Sequence, residues 1–182
     1  MGSLNSFTFC TLNGFYKDDQ SGIDWHVHGS EEAGFSSESL GNNHSLLFGR
    51  VTYEMMASFW PTSQAHEAFP EVAKGMNSAK KLVVSSSLKT VEWANSQILG
   101  KDWLDELRKL KQSENITLLG SGMILTQLAE ANLIDLYQIM LDPVVIGKGT
   151  PIFDGINSNM HLELTDKRIF NSGTILLSYK PK

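Results

Sequence analysis

The sequence predicts an α/β fold, and three observations carry that reading. Short runs rich in β-branched and aromatic residues alternate with longer stretches of helical periodicity along most of the chain. The apolar run 116–119 is followed by Gly120-Ser121-Gly122 and then by a helical pattern, the strand-to-helix succession of a parallel sheet. The last two strand-like runs, 161–170 and 174–180, are joined only by Asn171-Ser172-Gly173. That link is too short for a helical crossover, so the chain closes on an antiparallel hairpin.

Taken in order, residues 7–12 read as a first strand, ended by the turn pair Asn13-Gly14. Residues 16–30 are polar and glycine-containing around Trp25 and read as a long loop, a kind of segment that often carries function. A short helix is expected over 31–41, weakened by Gly34. Residues 45–49 form a strand and 52–59 a helix closed by Trp60-Pro61. A helical pattern covers 66–78, with Pro70 moving its true start later. Residues 81–84 form a strand that runs into Ser85-Ser86-Ser87. In the helix 102–111, Trp103, Leu104, Leu107 and Leu110 share a face; acids come first and Arg108, Lys109 and Lys111 last, matching the macrodipole. The strand 116–119 precedes a helix reaching about 131, and the strand 133–141 is broken by Asp142-Pro143. With 182 residues and no internal repeat or linker, one domain over 1–182 is expected.

Composition narrows the function classes. The net charge is −5 and the fifteen basic residues are scattered, which argues against a nucleic-acid face. No apolar run approaches the roughly 20 residues of a membrane span, and no signal-peptide core follows Met1. MGSLNS fits an N-myristoylation pattern only loosely, and the chain reads as cytoplasmic. The single Cys10 excludes an internal disulfide and a Cys-rich zinc site, and in its apolar stretch it reads as a small core residue.

Three stretches place small or phosphate-friendly residues after an apolar strand. In LLFGRVTYEMM, 46–56, Gly49 and Arg50 stand where a strand gives way to a helix. A helix N-terminus attracts anions; Thr52 adds a hydroxyl and Arg50 a fork of donors, although an ordinary N-cap and a solvated arginine fit equally. In LVVSSSL, 82–88, Ser85 and Ser86 either bind a ribose or phosphate or form a polar turn. In ITLLGSGMILTQL, 116–128, Gly120 and Gly122 let a ligand approach the backbone. The third glycine and the downstream acid of a dinucleotide fingerprint are missing, and Leu119 breaks the G-x-S-x-G nucleophile elbow at Ser121. His26 and His28 form a possible metal pair without a third ligand, so solvated loop histidines are the expected reading and no metal is assigned. PVVIGKGTPIF, 143–153, reads as a tight loop or a loop bordering a ligand.

In this order, LNGF, Asp24-Trp25, LLFGRVTYEMM with FWP, VVSSSL, LLGSGMILTQL with LIDLY, and PVVIGKGTPIF resemble the dihydrofolate reductase-like superfamily. The nearer likeness is to the reductase domain of bacterial bifunctional riboflavin-biosynthesis deaminase-reductases, here as a stand-alone domain. The resemblance implies a three-layer α/β/α fold with a mixed, largely parallel sheet and NADPH as cofactor. It implies that Gly49, Arg50 and Thr52 hold cofactor phosphates, and that Ser85 and Ser86 line the adenosine ribose and its phosphate. Gly120, Ser121, Gly122, Met123 and Ile124 would pass along the pyrophosphate and nicotinamide ribose. Relatives carry a cis Gly–Gly bond at that turn, which corresponds here to Gly120–Ser121. Where the family has Ser-Leu-Asp-Gly, this chain has Thr11-Leu12-Asn13-Gly14. Asn13 hydrogen-bonds but holds no charge, which leaves Asp24 as the nearest carboxylate for a catalytic role. Trp25, Phe59 and Trp60 are candidates for an apolar wall against a small planar heterocycle such as a pterin or ribosylaminouracil. A homodimer is also implied. The alternative is a module of the same fold that binds nucleotide or dimerises without turnover, and Asn13 favours it.

Overall fold

The structure is a computed structural model and describes residues 2–27, 29–40 and 45–182. The elements in chain order are β1 (Leu4–Thr11), β2 (Phe15–Asp18), α1 (Ser30–Leu40), β3 (Ser45–Gly49), α2 (Arg50–Phe59), α3 (Ser63–Ala68), α4 (Pro70–Ser78) and β4 (Lys81–Val84). They continue with β5 (Ser96–Leu99), α5 (Trp103–Leu110), β6 (Ile116–Leu119), α6 (Gly122–Glu130), β7 (Leu136–Asp142), β8 (Gly149–Pro151), β9 (Leu162–Ile169) and β10 (Ile175–Pro181). Eight strands form one sheet in the order β5-β4-β3-β6-β1-β7-β10-β9, and β2 with β8 forms a separate ribbon.

Pairings from β5 through β7 are parallel, while β10 runs antiparallel to both β7 and β9. The mixed sheet and its terminal hairpin are those expected from the sequence. Strict alternation along the strands sends alternate residues to opposite faces, and both faces are covered. On one face Leu4, Leu47, Ile116 and Leu118 pack with Leu107 of α5 and Leu125 and Leu128 of α6. On the other, Leu46, Phe48 and Val83 meet Tyr53 of α2 and Val72 and Met76 of α4. Further along that face Met140 and Leu176 meet Phe170, with Phe35 of α1 against them. The result is three layers, helix on sheet on helix.

Four local features depart from the sequence reading. The loop expected at 16–30 begins as strand β2, because its partner β8 comes from the stretch 143–153; Phe15, Lys17 and Asp18 pair with Pro151, Thr150 and Gly149. Strand β5 lies along β4 although Ser-Gln-Ile-Leu carries little strand signal; register with Lys81–Val84 supplies it. The single helix expected near 66–78 is two: Thr62 Oγ1 caps α3 by accepting from Ala65 N at 3.2 Å, and Pro70 opens α4 in the first turn, where its missing N–H costs nothing. Helix α2 starts at Arg50 rather than Thr52, with Gly49 as its cap residue.

A buried cation braces the far side of this scaffold. Lys81 is fully enclosed, and its Nζ donates to the carbonyl oxygens of Asn77, Ala79 and Ala94 at 3.0, 2.8 and 2.9 Å. It also stands over the Trp93 ring at 4.4 Å. Burial pulls its pKa down from 10.5 to about 8.

Candidate functional site

Strands β4, β3 and β6 lie side by side and parallel, so their carboxyl ends release the chain at one edge of the sheet, the edge at which open α/β sheets bind ligands. A cleft of about 1550 Å³ opens there. Gly49, Arg50, Thr52, Ser85, Ser86, Gly120, Ser121, Gly122, Met123 and Ile124 all line it. Residues far apart in the sequence are thus brought to one surface.

The centre of this edge is a seam between two helix N-termini. Neither α2 nor α6 has a side-chain cap on its first turn, so backbone N–H groups and the positive ends of two macrodipoles stand at the cleft. Gly49 is a glycine for lack of space: a Cβ there would overlap Ser121 Oγ and come within 3.3 Å of Ile124 Cγ1. The turn into α6 is left-handed, with φ +62° at Gly120 and +56° at Ser121. The described residues contain no cis peptide bond, so Gly120–Ser121 is trans. Met123 is 71% exposed, whereas the Ile124 side chain belongs to the core beneath the seam.

Two of the charged and hydroxyl groups already have partners. Arg50 donates to Glu54 Oε2 at 2.8 Å in a half-exposed pair, an interaction worth about 0–1 kcal/mol and easily exchanged for a stronger anion. Ser85 Oγ accepts from the N–H groups of Ser87 and Leu88 at 3.2 and 3.0 Å, so it builds the turn while lining the cleft. The polar-turn reading and the lining position therefore coexist.

Among the candidates for the substrate side, Asp24, Phe59 and Trp60 line the cleft. The Phe59 and Trp60 rings meet edge to face at 5.1 Å, and Trp60 Nε1 donates to Met56 Sδ at 3.0 Å. Asn13 and Trp25 are not among the lining residues. Asn13 Nδ2 donates to the Ile146 carbonyl at 2.8 Å and Oδ1 accepts from Thr11 Oγ1 at 2.9 Å, which ties the 13–14 turn to the loop before β8. Trp25 Nε1 is buried without a partner among the described residues, and its ring stands edge-on to His26 at 6.4 Å.

Several lining residues carried no signal in the sequence. Tyr16 of β2 lies over Gly122, and Phe9 and Phe35 close the end of the cleft under α1. Beneath α1 the cleft continues across one sheet row, Thr117, Asn5 and Leu136, with Gln138 one pleat on.

The expectation that His26 is a solvated loop residue is overturned. Its side chain is only 5% exposed; Nδ1 lies 2.8 Å from Asp142 Oδ1, and the ring stacks on Phe9 at 3.8 Å. Asp142, at the end of β7, is as deeply buried, and its Oδ2 has no partner among the described residues. Burial, with the Asp142 charge adding, pushes the neighbouring Cys10 thiol up to about 11. The described residues contain no cluster of three potential metal ligands, and His28 lies outside them.

Known proteins share this architecture. The family model described as the RibD C-terminal domain matches residues 3–177. By sequence the chain is similar to "Uncharacterized protein YyaP" of Bacillus subtilis (strain 168), 27% identical over 172 residues, 93% of this chain and 89% of that protein. By structure it is similar to a diaminohydroxyphosphoribosylaminopyrimidine deaminase/5-amino-6-(5-phosphoribosylamino)uracil reductase from Thermotoga maritima. There the TM-score is 0.70 at 13% identity, over 100% of this chain and 57% of that one. It is also similar to the dihydrofolate reductase from Enterococcus faecalis complexed with NADP(H) and RAB-propyl, with TM-score 0.66, 16% identity, and 100% and 97% coverage. The chain belongs to the RibD C-terminal domain family, and its fold is dihydrofolate reductase-like.

Proposed function

We propose that this member of the RibD C-terminal domain family is an NADPH-dependent reductase of small planar heterocycles, of ribosylaminouracil or pterin type, working in the cytoplasm as a homodimer. The observation that carries the reading is the seam where two uncapped helix N-termini, Arg50 and the Ser85–Ser86 turn surround one cleft. That set fits a dinucleotide: amide donors and helix dipoles for a pyrophosphate, and a guanidinium for a further phosphate monoester. Bound there, NADPH would supply a hydride. Arg50 and Thr52 would hold phosphates; Ser85 and Ser86 the ribose carrying the extra phosphate. Gly120, Ser121, Gly122, Met123 and Ile124 would guide the remainder toward β1. Phe59 and Trp60 would wall the substrate from solvent, with Asp24 at the rim.

The reading is supported by the fold it shares with a dihydrofolate reductase complexed with NADP(H) and with a uracil reductase. Its test is a fluorescence titration of NADPH against NADH for the wild type and Arg50→Ala. The wild type is expected to prefer NADPH, and Arg50→Ala to lose roughly 1.5–3 kcal/mol of NADPH binding while leaving NADH nearly unchanged. Equal affinities that ignore the substitution would remove the phosphate assignment.

The second reading is a nucleotide-binding module without turnover. It is favoured by the commitment of the Asn13 amide to Thr11 and the Ile146 backbone, which leaves that position no charge and little freedom to act on a substrate. Tight NADPH binding without oxidation across pterin, pyrimidine and quinone acceptors would select it.

A further inference from the structure

Hydride transfer to a C=N or C=O bond leaves an electron pair on nitrogen or oxygen, which must be protonated. Neither residue singled out in the sequence is built for this: Asn13 does not line the cleft and its carboxamide has no proton to give at neutral pH, and Asp24 is exposed on the loop after β2. One buried ionisable pair among the described residues has a member on the cleft wall. His26 lines the cleft, and its Nδ1 faces Asp142 Oδ1 at 2.8 Å.

Three constraints fix that imidazole. A carboxylate against Nδ1 makes Nδ1–H the donor, so proton exchange with the surroundings falls to Nε2. Stacking on Phe9 at 3.8 Å sets the ring plane. Asp142 ends β7, in register with Thr11 at the end of β1, so the partner sits on the sheet rather than on a loop. The same strand β1 also fixes the distance to the seam. The Phe7 carbonyl accepts from Gly120 N at 3.0 Å, and Phe9 is two residues further toward the strand end on the same face. One pleat repeat and one stacking distance put the imidazole on the order of 10 Å from the Gly120 turn. The other ionisable groups lining the cleft are Tyr16 and Lys17 on β2, Asp24 on its own loop, Arg50 on α2 and Lys101 before α5, and Cys10 of β1 lies against Asp142. On α1, Glu32 is tied to Ser172, and Arg50 stands on α2 with Glu54.

We propose that His26 is the proton donor of the reductase and that Asp142 positions it, the substrate being an imine or carbonyl conjugated to a planar ring. This rests on the reductase reading above. In the step, the acceptor carbon gains a hydride from the reduced nicotinamide, and the π pair of the C=N or C=O bond moves onto the heteroatom. That heteroatom bonds the proton leaving Nε2. The nicotinamide ends oxidised and His26 neutral, to be reprotonated from solvent. Asp142 Oδ1 faces Nδ1 before and after the transfer, so the ring keeps its orientation while the proton leaves from Nε2.

The test pairs a spectroscopic readout with kinetics. The chain has five histidines, so ¹⁵N-histidine labelling of the whole protein is expected to resolve His26. In the ligand-free wild type, Nδ1 is expected to stay protonated while Nε2 alone changes protonation with pH; Asp142→Asn is expected to mix the tautomers and Asp142→Glu to restore them. With dihydrofolate and ribosylaminopyrimidine acceptors, His26→Gln is expected to lower kcat at least about 100-fold and abolish its pH dependence, with NADPH affinity within twofold of wild type. A wild-type His26 carrying its proton on Nε2 alone, or whose Nε2 never changes protonation, overturns the proposal while intact NADPH binding leaves the reductase reading standing. So does a His26→Gln enzyme with undiminished kcat. Failure of the wild type to bind NADPH overturns the reductase reading, and the proposal with it.

Discussion

Replacing Gly49 by alanine tests the seam on which the functional reading depends. Gly49 has φ −79° and ψ 162°, extended backbone that alanine adopts freely, so backbone strain does not enter. The added methyl instead overlaps Ser121 Oγ and approaches Ile124 Cγ1 at 3.3 Å. Overpacking of this kind costs about 1–3 kcal/mol. The relief experiment is Ser121→Gly, which removes the clashing oxygen. On its own that change also relieves the left-handed backbone at residue 121, φ +56°, by roughly 1 kcal/mol. A double-mutant cycle separates the two effects, because the left-handed term appears in both the single and the double variant and cancels. Urea unfolding at fixed pH should therefore give Gly49→Ala a loss of about 1–3 kcal/mol and a coupling energy of similar size that rescues the double variant. NADPH titration of the same four proteins should show weakened binding in Gly49→Ala and recovery in the double variant. A cycle with no coupling, or a Gly49→Ala protein as stable as wild type, would mean that the two helix ends do not abut as described.

Other consequences can be checked directly. Because burial lowers the Lys81 pKa from 10.5 to about 8, the unfolded chain holds more protons between those values and this group's contribution to stability rises with pH across that window. Buried Cys10, raised to about 11, and Tyr137, raised to about 12, push the other way above pH 9 and 10 respectively, so the wild-type curve is expected to be nearly flat. Relative to Lys81→Met, therefore, the wild type should gain about 3 kcal/mol between pH 7 and 10.5 in denaturant titrations, and a pH-independent difference would refute the buried-charge account. Thr62→Ala removes the cap on α3 and should cost about 1 kcal/mol by thermal unfolding without altering NADPH binding. Phe48→Ala opens the centre of the face covered by α2 and α4 and should cost about 3–5 kcal/mol in the same assay.

What the sequence made legible follows from the range of its signals. Periodicity and flanking glycines are local, so 45–49, 81–84, 116–119 and the terminal hairpin were placed almost to the residue. Strand β5 and the β2–β8 ribbon escaped because their strand character comes from a partner: Ser-Gln-Ile-Leu is extended by register with β4, and Phe15–Asp18 by Gly149–Pro151. The same reason hid the pair His26 and Asp142, separated by 116 positions and joined only once β1 and β7 lie side by side. Conversely, the residue types at the seam were readable because a strand end, a small turn and an arginine in succession suggest anion chemistry before any tertiary contact is known, whereas the absence of side-chain caps on α2 and α6 was not. The bond from Asn13 to the Ile146 carbonyl was likewise invisible in the sequence, because the two are 133 positions apart.

The ribbon of β2 and β8 holds Tyr16 and Lys17 at the cleft yet shares no ladder with the eight-stranded sheet. Its amides can therefore exchange with solvent through a local opening far below the free energy of global unfolding, while those of β1 wait for the whole sheet to part. Opening of this short ribbon would uncover the Tyr16 and Lys17 side of the cleft without parting the eight-stranded sheet.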